Sequence, residues 1–446
     1  MDYSPHTDEQ VRQMLQAIGV SSFEELLATI PADVRCKSFD VPAGLSELEV
    51  LDACEAVASS TRSLRELGAF LGFGAYPHVI PTVVDTLSSR GEWLTPYTPY
   101  QAEASQGTLQ MIYEFQTMVC ELLQMDLANA SMYDGASALA EAAVMALRAT
   151  GRKRLLVSEA VHPHYRQVIT TYLSGFPCTI QLIPQTGGVT DLEALATAVK
   201  DDVAAVIMQQ PNVFGCLEPM EQASQLAHRA GSLFVANAYP ISLGLIKPPG
   251  SYDADIAVAE GRCLGSPVGF GGPGLGLFAT EQAFLRKIPG RLAGCTVDHD
   301  DRRGFTLTLQ TREQHIRREQ ATSNICTNEG WLCLRATIFL SLLGPQGLRD
   351  LAQQNLERAH RLQQRLTGLA WIEPAFDQPF FNEFALCYTG RSPAEVNRRL
   401  LKAGLIGGLP LSTWFPTLKD TALWCATELN TDAQVDRLID TLKEIA

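Results

Sequence analysis

Between residues 150 and 280 the sequence alternates short apolar runs with helical stretches, and this alternation limits the possible folds more than any other feature. The runs are RLLVSEAV, TIQLIP, VAAVIMQQP, SLFVANAY and ADIAVAE, and stretches such as DLEALATAVKD and MEQASQLAHRAG lie between them. Strands that are apolar along their whole length are typical of a parallel sheet covered on both faces. The pattern therefore predicts an α/β fold with a mostly parallel sheet flanked by helices.

The regions on either side of this alternation predict a division into three domains. Residues 1–90 are predicted to form a helical N-terminal segment, in which Ser22 and Glu25 have the spacing of a capping box. Residues 91–330 are predicted to form the large α/β domain. Residues 331–446 combine a long helix, short strands and a helix that begins at SPAE, a predicted capping box with Ser392 as the cap and Pro393 at the first helical position. They are predicted to form a small α+β C-terminal domain.

Charge and composition exclude several classes of function. The net charge of −14 leaves no basic surplus for nonspecific nucleic-acid binding. No apolar run approaches the ~20 residues of a membrane-spanning helix. The start, MDYSPHTDEQ, is polar and acidic, so no signal peptide is expected. The 11 cysteines form no CxxC pair and the histidines number only 8, so reduced thiols and no metal site are expected.

A large parallel-sheet domain followed by a small α+β domain is the layout of fold-type I pyridoxal phosphate enzymes, although many folds share it. Such an enzyme needs a phosphate site, a carboxylate for the ring nitrogen and a lysine for the aldehyde. The stretch YDGASALAEAA places Asp134, Gly135 and Ser137 at the start of a helix. Free N–H groups and a hydroxyl there suit an anion. A plain N-cap on a helix of small residues is the alternative.

The other two requirements are not met by the sequence. The strand LFVANAY offers Ala236 and Asn237 where an acid is needed. The stretch GRCLGSPVGFGGPGLG, with seven glycines and two prolines, places Arg262 where the lysine is expected. A guanidinium stays protonated and cannot form an aldimine. Of the eight lysines, only Lys247 in GLIKPPG lies between that strand and the glycine-rich loop, and it is predicted to be a loop lysine. The sequence thus predicts a domain that has kept its fold and given up the cofactor.

Several longer stretches resemble one protein family over essentially the whole chain. They are MLQAIGVSSFEELLATIP, FLGFGAYPHVIP, YTPYQAEASQGTLQ, NASMYDGASALAEA, GFGGPGLG, LTLQTREQHIRREQATSNICTN and PFFNEFAL. The chain resembles subunit 1, the N-terminal-type or alpha subunit, of the two-subunit glycine dehydrogenase (decarboxylating). This enzyme is the P-protein of the glycine cleavage system.

The resemblance implies a division of labour between two subunits. A sister subunit carries pyridoxal phosphate on its lysine, decarboxylates glycine and passes the aminomethyl group to the lipoyl arm of the H-protein. The chain described here is then inactive alone, because Arg262 falls at the lysine position and Ala236 near the ring-binding Asp. Gly135, Ser137 and His162 complete a vestigial cofactor pocket. Two copies of each subunit and a prokaryotic cytoplasm are also implied.

The same resemblance implies two candidate contact regions. The stretch YTPYQAEASQG is the best candidate for a contribution to the partner's active site, with Tyr97, Tyr100 and Gln101 supplying hydrogen bonds near the glycine carboxylate or the lipoyl path. The alternative is that these side chains only pack the subunit interface, where tyrosine is favoured. The stretch TREQHIRREQ is predicted to be a solvated helix with i,i+4 pairs, and its arginines are candidates for contact with an acidic partner.

Two other functions stay open at this point. One is a self-sufficient pyridoxal phosphate aminotransferase or lyase that uses Lys247. The other is a purely structural or regulatory paralogue with no part in glycine cleavage.

Overall fold

The apolar runs between residues 150 and 280 form a seven-stranded sheet in the computed structural model of the chain. The structure describes residues 5–36, 38, 40–64, 66–95, 97–269 and 271–445. In chain order, the strands are β1 (Gly68–Ala69), β2 (Leu127–Ala128), β3 (Arg154–Ser158), β4 (Thr179–Ile183), β5 (Gln185–Thr186), β6 (Val189–Thr190), β7 (Val203–Gln210), β8 (Leu233–Ala238), β9 (Ile256–Glu260), β10 (Gly276–Thr280), β11 (Leu292–Val297), β12 (Arg303–Thr308), β13 (Ile372–Pro374), β14 (Glu383–Tyr388), β15 (Leu405–Ile406), β16 (Leu409–Pro410) and β17 (Thr421–Cys425).

The large sheet confirms the predicted α/β fold. Its strand order is β2-β10-β9-β8-β7-β3-β4. The five strands from β9 to β4 are parallel, whereas β10 runs antiparallel to both of its neighbours. Because parallel strands point the same way, the carboxyl ends of β3, β7, β8 and β9 meet at one edge, where ligands bind in open α/β sheets.

Along the chain, helices precede, separate and follow the strands of this sheet. In chain order, they are α1 (Asp8–Ile18), α2 (Phe23–Leu26), α3 (Glu47–Ser59), α4 (Thr82–Ser88), α5 (Gly91–Leu94), α6 (Gln106–Leu123), α7 (Gly135–Thr150), α8 (Pro163–Leu173), α9 (Leu192–Ala198), α10 (Met220–Arg229), α11 (Gln314–Arg317), α12 (Gly330–Thr367), α13 (Pro393–Lys402) and α14 (Asp432–Ile445). Helices α7 and α8 pack on one face, and α9 and α10 pack on the other. Alternate residues of each strand therefore pack into two separate hydrophobic cores, one on each face of the sheet.

The C-terminal region has its own antiparallel sheet, with strand order β13-β14-β17-β16. Helices α13 and α14 share a core with this sheet. Strand β1 pairs in parallel with β15, which joins the segment before the large sheet to the C-terminal region. By its internal contacts the chain divides into two compact units, residues 1–63 and 64–446. The predicted domain boundaries near residues 90 and 330 stay predictions.

Two predicted capping boxes are wrong in detail. Ser22 is the N-cap of α2, but its side chain makes no capping hydrogen bond. The Glu25 carboxylate instead accepts from the backbone N–H of Ser21, at 3.2 Å. Ser392 is likewise an N-cap without a side-chain bond, although Pro393 takes the first helical position as predicted. In both cases the backbone bend begins the helix without help from the hydroxyl.

The predicted helix over TREQHIRREQ is not continuous. Only Gln314–Arg317 is α-helical, and Arg318, with φ +56°, ends the helix. Among the described residues neither predicted i,i+4 pair is formed. The Glu313 carboxylate lies 3.8 Å from both Arg291 and His315. An exposed i,i+4 pair on a helix contributes only about 0.3–0.5 kcal/mol of stability. The interaction of the partly buried Glu313 carboxylate with the buried Arg291 guanidinium is therefore favoured over it.

Helix α12 is, among the described residues, the one helix whose length and composition would suffice to cross a membrane. Its helical backbone is broken by Gly344, with φ +58°, followed by Pro345. Its first half places Leu332, Cys333 and Phe339 in the core that it shares with α6. The core helix of a globular protein passes the same test of length and composition.

Candidate functional site

The glycine-rich loop after β9 runs directly against the start of α7. A Cβ at Gly274 would lie 2.6 Å from the Asp134 Cβ, and one at Gly276 would lie 2.4 Å from the Asp134 carbonyl oxygen. Real Cβ atoms do not approach other atoms this closely, so these two glycines are required by space. Two of the seven glycines are thus explained by the close contact of this loop with the start of α7.

A cavity of about 340 Å³ opens at the carboxyl ends of the parallel strands. Each of four strands contributes a polar side chain at or just after its end. These side chains belong to His162 after β3, Gln209 in β7, Asn237 in β8 and Glu260 in β9. These side chains meet because the carboxyl ends of neighbouring parallel strands share one edge.

The anion position at the start of α7 is filled by the chain itself. One oxygen of the Glu260 carboxylate accepts from the Gly135 N–H at 2.9 Å. The other accepts from the Arg262 N–H at 3.0 Å and the Leu275 N–H at 2.9 Å. Burial raises the pKa of the Glu260 carboxyl, and these three backbone donors oppose the rise. Ser137 is occupied in a reciprocal capping box with Asp134.

His162 is neutral and is held by hydrogen bonds from both ring nitrogens. Its Nδ1 accepts from the His164 N–H at 3.2 Å, so its Nε2 carries the proton and donates to the Phe73 carbonyl at 3.2 Å. Burial lowers the pKa of His162 to about 4, and the neighbouring His164 contributes to the lowering. The Phe73 ring lies 4.1 Å from the imidazole, centroid to centroid. The chain's own aromatic side chain therefore contacts the histidine that sequence analysis assigned to the cofactor pocket.

The remaining predicted pocket residues are not all at the cavity. Arg262 lines it, and its guanidinium makes no hydrogen bond or ion pair with any residue that the structure describes. Ala236 does not line it: its side chain is fully buried in the core beneath α9 and α10. Asn237, the next residue along β8, faces the cavity instead, because successive strand residues point to opposite faces. Placing Ala236 in the pocket was therefore wrong.

Lys247 lies away from the cavity, as a loop lysine should. Its side chain is 70% exposed and pairs with Glu221 at the surface. The other described lysines do not line the cavity either, and Lys37 lies outside the described residues. A Schiff base needs an amine that can reach the cavity. The described lysines offer none.

Pyridoxal phosphate does not fit this set of residues. The N–H group at the start of α7 is bonded by Glu260, Asn237 offers the cavity an amide and not a carboxylate, and no described lysine lines the cavity. No step of a reaction can be derived through that cofactor on the described part of this chain.

A second cluster gathers two of the sequence regions that were left as contact candidates. The side chain of Arg291 is only 5% exposed and donates to the Tyr100 hydroxyl at 3.1 Å. Its guanidinium also lies over the Tyr100 ring, 5.5 Å from the centroid, and donates to the Cys326 carbonyl. Glu313 and His315 complete this cluster. We call these five residues the Arg291 cluster.

Tyr100 of the Arg291 cluster is exposed, and so are the two other predicted contact residues near it in the sequence. Tyr100 is 54% exposed and Tyr97 is 85% exposed, and Gln101 is exposed beside them. Arg291 itself gave no signal in the sequence, since a single arginine in PGRLAGCTV matches no motif. Large aromatic side chains that are held from below and exposed above are suited to contact another molecule.

The cavity wall opposite α7 is a segment, residues 72–79, that two buried carboxylates hold in place. Glu383 accepts from the Phe73 N–H and the Tyr76 hydroxyl. Glu428 accepts from the Val79 N–H at 2.7 Å and from His78 at 2.9 Å. Phe73 needs such support, because it has φ +78°, a conformation that costs about 1–2 kcal/mol for a residue with a side chain.

Glu383 is expected to make the stability of the chain depend on pH. Burial raises its pKa to about 7, whereas an unfolded glutamate titrates near ~4.3. The folded chain therefore holds a proton that the unfolded chain loses, so stability falls as pH rises from about 4.5 to about 7, by roughly 3 kcal/mol. Urea unfolding at both ends of this range should show a fall in the wild type that is larger than the fall in Glu383→Gln by about this amount. An identical pH dependence in the two proteins would contradict the assignment.

The comparisons with known proteins agree on one family. Residues 1–442 match the family described as Glycine cleavage system P-protein. The chain is 49% identical over 446 residues to the probable glycine dehydrogenase (decarboxylating) subunit 1 of Desulfitobacterium hafniense, covering 100% of both chains. It is 48% identical over 441 residues to the protein of the same name from Geobacillus kaustophilus, covering 99% of this chain and 98% of that one.

Solved structures give the same result. The chain superposes on a crystal structure of glycine decarboxylase (P-protein) of the glycine cleavage system in inhibitor-bound form, with a TM-score of 0.92, 46% identity and 100% of both chains covered. A sphingosine-1-phosphate lyase of Burkholderia pseudomallei shares the fold, with a TM-score of 0.68 at 15% identity over 93% of each chain. The fold is thus that of fold-type I pyridoxal phosphate enzymes, as the sequence predicted.

Proposed function

Because the chain belongs to the glycine cleavage system P-protein family, we propose that it is the cofactor-free subunit of a two-subunit glycine decarboxylase. With its lysine-bearing sister subunit it decarboxylates glycine and passes the aminomethyl group to the lipoyl arm of the H-protein. The sister subunit carries pyridoxal phosphate, and this chain is inactive alone. We place the assembly, with two copies of each subunit, in a prokaryotic cytoplasm.

One observation carries this proposal above the others. The cavity lies where a fold-type I enzyme holds its cofactor, yet among the described residues it contains no lysine and its anion position is filled by Glu260. A chain with this fold and no aldehyde-binding amine needs a second chain to perform the chemistry. The name "subunit 1" carried by its relatives fits that reading.

The part that this chain plays in the reaction is assigned to its exposed aromatic segment. We propose that Tyr97, Tyr100 and Gln101 reach the sister subunit's active site and donate hydrogen bonds near the glycine carboxylate or along the lipoyl path. Their exposure and the support of Tyr100 by Arg291 favour this role. A hydrogen bond made by the Tyr100 hydroxyl would orient the substrate without any change in the protonation of the tyrosine.

Exchange of labelled bicarbonate into glycine tests the proposal. The chain alone and the sister subunit alone should be inactive, and the co-expressed pair active with added H-protein. Activity of this chain alone would support the alternative that Lys247 or another lysine is catalytic. Failure of the two chains to co-purify would support the alternative of a structural or regulatory paralogue.

Substitutions in the exposed segment test the contribution to the partner's site. Tyr100→Phe and Gln101→Ala, in the co-expressed pair, are each expected to reduce exchange by about 10- to 100-fold. Tyr172→Phe is the matched control, because Tyr172 is a partly buried tyrosine on α8 that packs against the core. If exchange is unchanged in both test variants, the segment only packs the interface.

A further inference from the structure

Glu260 stands in the position of a bound anion. Its two oxygens accept three backbone N–H groups, from Gly135, Arg262 and Leu275, at 2.9 to 3.0 Å. Gly135 is the first residue of α7, a helix of 16 residues. The start of such a helix carries partial positive charge and unpaired N–H groups, which is the usual environment of a bound phosphate.

The packing around Glu260 is built for close approach of its backbone and side chain. A Cβ at Gly135 would lie 2.9 Å from both the Glu260 Cβ and the Glu260 backbone nitrogen. A Cβ at Gly274 would lie 3.2 Å from the Glu260 Oε2. Larger residues at these two positions would push the carboxylate away from its three donors.

Glu260 is not explained as one half of an ion pair. No lysine, arginine or histidine that the structure describes lies within 4.0 Å of its carboxylate as a salt-bridge partner. Arg262 is two residues away and lines the same cavity, yet only its backbone N–H bonds the carboxylate. The negative charge is therefore held mainly by backbone donors and the helix start, with a smaller electrostatic contribution from Arg262, as it would be for a bound anion.

We propose that Glu260 is a built-in anion that occupies the helix-start site of this chain and closes its cavity to phosphate and phosphate esters. Removing the carboxylate would leave three converging N–H groups, the start of α7 and the Arg262 guanidinium facing the same space. That set favours a multiply charged oxyanion. The inference concerns this chain alone and does not depend on glycine cleavage, so it can fail while the proposed function stands.

Binding of inorganic phosphate to the purified chain tests this proposal. Thermal unfolding is followed as sodium phosphate replaces sodium chloride at constant ionic strength. For the wild type, we expect no saturable rise in Tm with phosphate. For Glu260→Ala, we expect a saturable rise in Tm, with a half-saturating phosphate concentration at least roughly tenfold below that of any wild-type response. Glu218→Ala is the matched control, since Glu218 is a buried carboxylate that also accepts a backbone N–H, from Thr190.

Each outcome decides the matter. Saturable phosphate binding by the wild type would overturn the proposal, and so would a folded Glu260→Ala that phosphate does not stabilise. An equal response of Glu218→Ala would reveal a general salt effect and would also overturn it. If Glu260→Ala does not fold in chloride, Glu260→Ser is purified in phosphate buffer. Phosphate-dependent folding of either variant supports the proposal, and failure of both to fold in phosphate rejects it.

Discussion

Replacing Gly215 by alanine is expected to destabilise the chain by at least about 4 kcal/mol and to leave little folded protein. Gly215 has φ +83°, and an added Cβ would lie 2.0 Å from the Glu383 carbonyl oxygen and 2.4 Å from its carbonyl carbon. These atoms belong to the backbone at the start of β14, which is paired with β17 and cannot move aside. The change would therefore also displace Glu383 and the cavity wall that it holds.

A second glycine, Gly151, serves as the control that distinguishes a steric clash of the added Cβ from the strain of a positive φ. Gly151 has φ +70° at the end of α7, but an added Cβ there would meet nothing within 4 Å. Gly151→Ala is therefore expected to lose only about 1 kcal/mol. Urea or thermal unfolding of both variants gives the comparison. Equal losses in the two variants would show that the contact with Glu383 is not what matters at Gly215.

Replacing Arg291 by methionine is expected to reduce glycine–bicarbonate exchange by the co-expressed pair about 100-fold. Arg291 holds Tyr100 by a hydrogen bond to its hydroxyl and by contact with its ring. Without it, Tyr100 loses its fixed orientation and the Cys326 carbonyl loses a donor. Some stability is lost as well, about 1.5–3 kcal/mol, because hydrogen bonds donated by a charged guanidinium are removed.

A positional role for Arg291 can be distinguished from a purely structural one. Arg291→Lys keeps the charge but loses the planar guanidinium that reaches Tyr100 and Cys326 together. Compared with Arg291→Met, it is expected to restore most of the lost stability but less of the lost exchange activity. Arg154→Met removes an arginine that pairs with Asp202 elsewhere on the molecule and should leave exchange unchanged. Full exchange activity in a folded Arg291→Met complex would contradict the role assigned to Tyr100.

The sheet and the position of the cavity could be predicted from the sequence because both follow from local rules. Five mostly apolar runs separated by helices admit little besides a covered parallel sheet. His162, Asn237 and Arg262 then come together because each follows or ends a neighbouring parallel strand. The antiparallel hairpin of β11 and β12 was missed, although LAGCTV and RGFTLT flank the polar turn DHDDR. A five-residue turn between two strands is a known hairpin connection.

The contents of the cavity were less predictable. Glu260 was taken as the last residue of the strand ADIAVAE, but an acid at the end of a buried strand and before a glycine-rich loop must find donors. Asking where that charge goes would have led to the start of α7. Phe73 and Arg291 offered no such signal, since their contacts join segments 89 and 191 residues apart in the chain.

Reductive trapping of the cofactor tests the central claim most directly. The co-expressed pair, loaded with pyridoxal phosphate, is reduced with borohydride, and the modified lysine is located by peptide mass spectrometry. The account predicts a pyridoxyl-lysine only in the sister subunit and none in any peptide of this chain, including the peptide that contains Lys247. A pyridoxyl group on a lysine of this chain, at a stoichiometry near one, would contradict it.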